Sequence, residues 1–165
     1  MPETYLLVHS ANTHSGRWTA EVLRACHQVG IDLESIEIVD EEQATAAGDL
    51  ASVVLKICDR VSPETGQRLR NEVQAGCPQG VSARLIRAVS PGDFSLEPGG
   101  ISTAYFRREF AVNSCMIFHT TSCVRLTHRA TGRSVRSTAH RSRALNSEEA
   151  LFLLESLMRS GTEVA

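Results

Sequence analysis

The sequence predicts an α+β protein built as two units. Three observations predict it. Residues 1–89 alternate short apolar runs with two amphipathic helical stretches. "SPGDFSLEPGG" (90–100) carries two prolines and three glycines and reads as a linker. Residues 101–165 then change pattern, to strand-like runs, a tight turn and one final helix.

In chain order, "YLLVHS" (5–10) reads as a buried strand and "ANTHSG" as a loop with several possible N-caps. Residues 16–29 read as a helix, because Trp18, Val22, Cys26 and Val29 fall on one face and Gly30 suits the C′ position. "LESIEIVD" (33–40) alternates like a strand, "EEQATAAGD" is a polar connection, and "SVVLKICD" (52–59) is another strand. Ser62 caps a helix that starts on Pro63 and Glu64 and runs to about Gln74. "VSARLIRAV" (81–89) alternates again. The order βαββαβ is that of a ferredoxin-like unit, assigned to 1–89. Beyond the linker, 102–110 and 123–128 read as strands, "RATG" as a turn and 133–138 as the return strand. Ser147 is the expected cap of the last helix, with Glu148 and Glu149 in its first turn. Leu151, Leu154 and Met158 form its apolar stripe, with Leu153 and Leu157 beside it.

A 42% hydrophobic and 22% charged composition supports a packed core and excludes wholesale disorder. No apolar run approaches the ~18–20 residues that a membrane-spanning helix needs. "MPETYLLVHS" lacks the basic start of a signal peptide, so a cytoplasmic protein is expected. The five cysteines (26, 58, 77, 115 and 123) form no CxxC pair, and Cys26 and Cys58 read as small buried hydrophobes. His9 and His14 flank a loop without an obvious third ligand. No metal and no cofactor is expected.

The net charge of −2 conceals a strong asymmetry. Residues 104–146 hold Arg107, Arg108, Arg125, Arg129, Arg133, Arg136, Arg141 and Arg143 against Glu109 alone, a net +7. The remainder carries −9. A basic block on an acidic chain is the electrostatic footprint of a polyanion partner. The plainer alternative is a solvated hairpin face.

"TTSCVRLTHRATGRSV" followed by "HRSRALNSEEALFLL" resembles the catalytic domain of bacterial class I peptide-chain release factors. The family pattern is roughly TxSxVRxTHxxTGxxV, then RSxxxNxxxAL. It is matched by Thr120, Ser122, Val124, Arg125, Thr127, His128, Thr131, Gly132, Val135, Arg141, Ser142, Asn146, Ala150 and Leu151. The match covers about 35 residues without a gap. "YLLVHSA" and "ARLIRAVSP" are more weakly similar to the release factor H group, short relatives without the usual N-terminal helical domain. The resemblance implies a release-factor-type unit over 101–165 (strand, loop, hairpin, helix), action at the acyl-tRNA ester on the ribosome, and a role in termination or ribosome rescue. It also implies an RNA ligase, encoded nearby, as a possible associate. Arg125, Thr127, His128, Arg141 and Asn146 would be framework or RNA-facing residues.

Release factors of this family carry a Gly-Gly-Gln loop that enters the peptidyl-transferase centre. Counting back from "VRLTH", Asn113, Ser114 and Cys115 stand in its place, and Arg108 takes the position of the arginine that opens it. The basic residues that follow the RSxxxN motif in the family are replaced by Ser147, Glu148 and Glu149. Three readings follow. In the first, the chain binds tRNA or rRNA through Arg108, Arg125, Arg129, Arg133, Arg136, Arg141 and Arg143 without cleaving. In the second, Cys115 is a nucleophile and His119, four residues on, is its base, which makes the chain an aminoacyl- or peptidyl-tRNA hydrolase or acyltransferase acting through a thioester. In the third, the loop backbone at Asn113 and Ser114 alone positions water.

Overall fold

The computed structural model describes residues 3–11, 18–43, 50–88, 96–107 and 122–160. It is a mixed α+β structure with two antiparallel sheets and three α-helices among the described residues. The chain divides into two compact units, Met1–Arg87 and Ala88–Ala165.

The first unit contains β1 (Thr4–Ser10), α1 (Thr19–Gln28), β2 (Ile36–Gln43), β3 (Leu50–Ile57), α2 (Pro63–Gly76) and β4 (Val81–Arg87). Its sheet has the order β2-β3-β1-β4, antiparallel throughout. Strand alternation sends Leu6, Val8, Val53 and Leu55 to one face. There they pack with Val22 and Cys26 of α1 and Leu69 and Val73 of α2. Each such side chain contributes about 1.5–3 kcal/mol of burial free energy. Trp18, only 1% exposed, joins this core from the N-cap position of α1. It offers no side-chain cap, so the start of α1 rests on packing rather than on capping. At the other end Gly30 takes φ 88, the left-handed conformation of a helix C′ residue. Ser62 caps α2 as the sequence indicates, its Oγ accepting from Thr65 N at 3.1 Å.

Both ends of the second strand differ from the sequence expectation. Residues 33–35 form a 3₁₀ turn rather than the start of a strand, because the Asp32 carboxylate accepts from Glu34 N at 3.0 Å. β2 instead runs through "DEEQ". It lies at the sheet edge, with Asp40 buried and Glu41 and Glu42 half-buried. A register shift between Ile38 and Asp40 re-phases its alternation.

The second unit contains β5 (Ile101–Phe106), β6 (Cys123–His128), β7 (Ser134–Ser137) and α3 (Arg143–Ser160). A 3₁₀ turn at Pro98–Gly100 leads into β5. The sheet order is β5-β6-β7, antiparallel, and α3 packs on β6 and β7. Val124, Leu126 and Val135 meet α3 in a small core with Ala150, Leu153 and Leu154. Ser147 is not the cap expected from the sequence. The helix begins a turn earlier, and Ser142 Oγ accepts from Leu145 N at 3.3 Å. Glu148 and Glu149 therefore lie beyond its first turn, which contains no acid. The buried face also differs from the Leu151–Leu154–Met158 stripe, since Leu151 and Met158 are only half-buried. Glu155 is fully buried instead, accepting from Leu96 N at 3.2 Å, with Arg159 Nε 3.6 Å away. No helix among the described residues is long and apolar enough to cross a membrane.

Candidate nucleic-acid interface

The hairpin β6–β7 is closed by a turn that its own side chains fasten. His128 N donates to Arg133 O at 2.8 Å, and Gly132 N donates to His128 O at 2.8 Å. Gly132 takes φ 71, which a β-carbon would strain. Thr131 Oγ1 lies 2.8 Å from His128 Nδ1 and accepts from Arg133 N at 3.4 Å. The string His-x-x-Thr-Gly is thus the chemistry of one tight turn. Arg129 N donates to Gly100 O at 2.9 Å, which ties that turn to the start of β5.

A second fastening holds the helix start to the sheet. Asn146 is fully buried, and its amide uses its whole hydrogen-bonding capacity. Oδ1 accepts from Ser137 Oγ at 3.1 Å and from His140 N at 3.0 Å. Nδ2 donates to Ser122 O and to His140 O, both at 2.8 Å. Ser122 immediately precedes β6, so one side chain joins the approach to β6, the end of β7 and the first turn of α3. The need to bury this amide fixes where the helix begins.

The arginines occupy this frame unequally. Arg125, Arg129, Arg141 and Arg143 are exposed, whereas Arg133 and Arg136 are half-buried. Arg133 Nη1 donates to Leu157 O at 3.3 Å, so that guanidinium helps anchor α3. Arg125 and Arg136 stand directly opposite on β6 and β7. Like charges in such a pair disfavour the fold and favour an anion above them. The Arg136 guanidinium lies over the Phe106 ring, 4.5 Å from its centroid. The Arg143 guanidinium lies over Tyr105 at 4.3 Å. Tyr105 and Phe106 are neighbours on β5 and point to opposite faces of the sheet. Each therefore sets an arginine on its own face.

Arg108, Asn113, Ser114, Cys115 and His119 lie outside the described residues. His14 does too, and His9 is exposed on β1. Burial pushes the Cys26 thiol up to about 11, and burial likewise raises Cys58 and Cys77. A raised pKa favours the protonated thiol, the less nucleophilic form. No group of three or more His, Cys, Asp or Glu suited to a metal ion occurs among the described residues. The sequence reading singled out the arginines and Asn146. It missed Tyr105 and Phe106, and it missed the capping role of Ser142; these signals lie in the cross-strand register and the helix start, both of which require the tertiary fold.

The fold defined by these two units is release-factor-like. The solved structure of RF2 of Thermus thermophilus matches it with a TM-score of 0.65 over 96% of this chain, at 15% sequence identity. The chain spans about half the length of that protein, 49% of it being covered. No protein-family profile and no curated protein sequence matches the chain.

Proposed function

We propose that this protein binds tRNA or ribosomal RNA through the arginine-rich segment of residues 104–146, as a member of the release factor H lineage acting at the acyl-tRNA ester or the ribosome. The carrying observation is that Arg125, Arg129, Arg141 and Arg143 are exposed on a frame similar to a release factor's. The net +7 of the surrounding segment supports this reading, because phosphate contacts supply salt-dependent affinity. Arg108, Arg133 and Arg136 belong to the same set by sequence, with Arg133 acting partly as an anchor of the helix. Residues 1–89 are proposed as a ferredoxin-like domain, 90–100 as a linker and 101–165 as the release-factor-type domain lacking Gly-Gly-Gln. The antiparallel order β2-β3-β1-β4 supports the first of these. The partners proposed are the tRNA acceptor end or the ribosome, and an RNA ligase encoded nearby as a possible associate; no membrane partner and no cofactor are proposed, and the setting is the cytoplasm.

A second reading rests on the thiol that stands where the catalytic glutamine belongs in the family. Cys115 would attack the acyl carbon of an aminoacyl- or peptidyl-tRNA ester. His119 would take the thiol proton and return it to the departing ribose hydroxyl. The resulting thioester would pass its acyl group to water or an amine. Asn113 and Ser114 would shape the loop.

Incubation with aminoacyl-tRNA, with and without ribosomes, tests both readings in wild type, Cys115→Ala and Cys115→Gln. Salt-sensitive binding with the ester intact in all three supports the binding reading. A covalent acyl adduct on Cys115, lost in Cys115→Ala, supports the second and overturns non-cleaving binding. Ester loss that persists in Cys115→Ala contradicts both, and leaves the loop backbone as the agent.

A further inference from the structure

We infer that Tyr105, backed by Arg143, is a stacking platform for one unpaired RNA base, so that the arginine surface selects single-stranded over double-stranded RNA. This rests on the RNA-binding reading above and names the form of RNA that the same surface takes.

Tyr105 is 49% exposed, one of only four large hydrophobic side chains with substantial exposure among the described residues. It projects from β5 opposite Val124, a residue wholly covered by the small core under α3. The Arg143 guanidinium lies over the ring at 4.3 Å. The residue is therefore held by the sheet through its backbone and by a cation against its ring, yet half of its surface still meets water. A ring held in this way loses little conformational freedom when a flat ligand settles on it.

The cation also matters to the choice of ligand. Arg143 opens α3 with its guanidinium over the ring, and Arg141 lies two residues before it in the chain; both are exposed. A ligand that places a π-face on Tyr105 therefore meets positive charge at once. An unpaired nucleotide has both parts, a base to stack and a phosphate to meet the guanidinium groups. A duplex has the phosphates but keeps its bases stacked inside, where Tyr105 cannot reach them. An acidic peptide would satisfy the arginines and leave the ring unused.

Fluorescence anisotropy with three labelled RNAs tests this. The probes are a short single strand, the same strand with one abasic residue at its centre, and a duplex of the same sequence. The variants are Tyr105→Leu, Tyr105→Trp and Arg125→Gln, each checked for an unchanged thermal melt. The expected result is a loss of roughly tenfold in affinity for the intact strand in Tyr105→Leu, within the range that one base–aromatic stack supplies. Affinity for the abasic strand and the duplex should not change, and Tyr105→Trp should bind the intact strand at least as well as wild type. Arg125→Gln should weaken all three RNAs together. Equal binding of the intact strand by wild type and Tyr105→Leu, with salt-dependent affinity retained, overturns the platform and leaves RNA binding standing. An equal fall on all three RNAs in Tyr105→Leu also overturns it. Failure of wild type to bind any of the three at low salt removes the RNA-binding reading, and the platform with it.

Discussion

Replacing Asn146 by alanine should destabilise the second unit severely. The side chain is fully buried and makes four hydrogen bonds, to Ser137 Oγ, His140 N, His140 O and Ser122 O. A buried partner left unsatisfied costs about 1–3 kcal/mol. Ser137 is fully buried and bears that cost. His140 and Ser122 are half-buried, so water recovers part of the loss at those three groups. The total expected is about 3–5 kcal/mol, at the severe end for a single substitution. For a unit of this size that lowers the melting temperature by roughly 15 °C or more. Urea unfolding followed by far-UV circular dichroism reads the change. Asn146→Asp sharpens the test. It keeps the acceptor but sets a carboxylate oxygen against two carbonyls, Ser122 O and His140 O. It should be at least as damaging as alanine at pH 7 and milder where the acid is protonated. A loss below about 1 kcal/mol in Asn146→Ala, or an aspartate variant as stable as wild type, would refute the four-bond account.

Three further outcomes follow from the same structure. Gly132→Ala should cost about 1–2 kcal/mol in denaturant titration from its φ of 71 alone, because nothing within 4 Å would meet the new carbon. Burial holds the Cys26 thiol protonated to about 11, against 9.0 for an exposed thiol, so the unfolded chain releases its proton first as pH rises. The stability this thiol contributes is therefore fully present below about pH 9 and should be lost between about 9 and 11, which urea midpoints across that window measure, and Cys26→Ala should flatten the decline. Arg125→Gln should leave the melting temperature unchanged or slightly raised, since the side chain is exposed and Arg136 opposite it loses a like charge, while lowering the slope of log affinity against log salt by about 1 in tRNA binding.

Local chemistry made much of this fold legible in the sequence. The Ser62-Pro63 helix start, the Trp18–Val22–Cys26 face and the β6 strand at 123–128 each follow from a few neighbouring residues, and the structure has them. The start of α3 was not legible, because Ser142 and Ser147 are both plausible caps and Glu148-Glu149 favours the wrong one. The burial of Asn146 decides between them, and that depends on Ser122 and Ser137, 24 and nine residues away. The extension of β2 past Asp40 through Glu41, Glu42 and Gln43 was hidden for a related reason. Acidic residues read as a loop unless the strand is known to be an edge. Of the candidate interface, the arginines were visible as composition. Their seating on Tyr105 and Phe106 was not, since it depends on how the three strands are paired and on where α3 begins.

The binding of tRNA as a function of salt tests the central claim most directly. The account predicts that affinity falls steeply and linearly on logarithmic axes, and that the slope shrinks by about 1 for each exposed arginine neutralised among Arg125, Arg129, Arg141 and Arg143. Absence of binding at low salt, or a slope indifferent to those four substitutions, would contradict it.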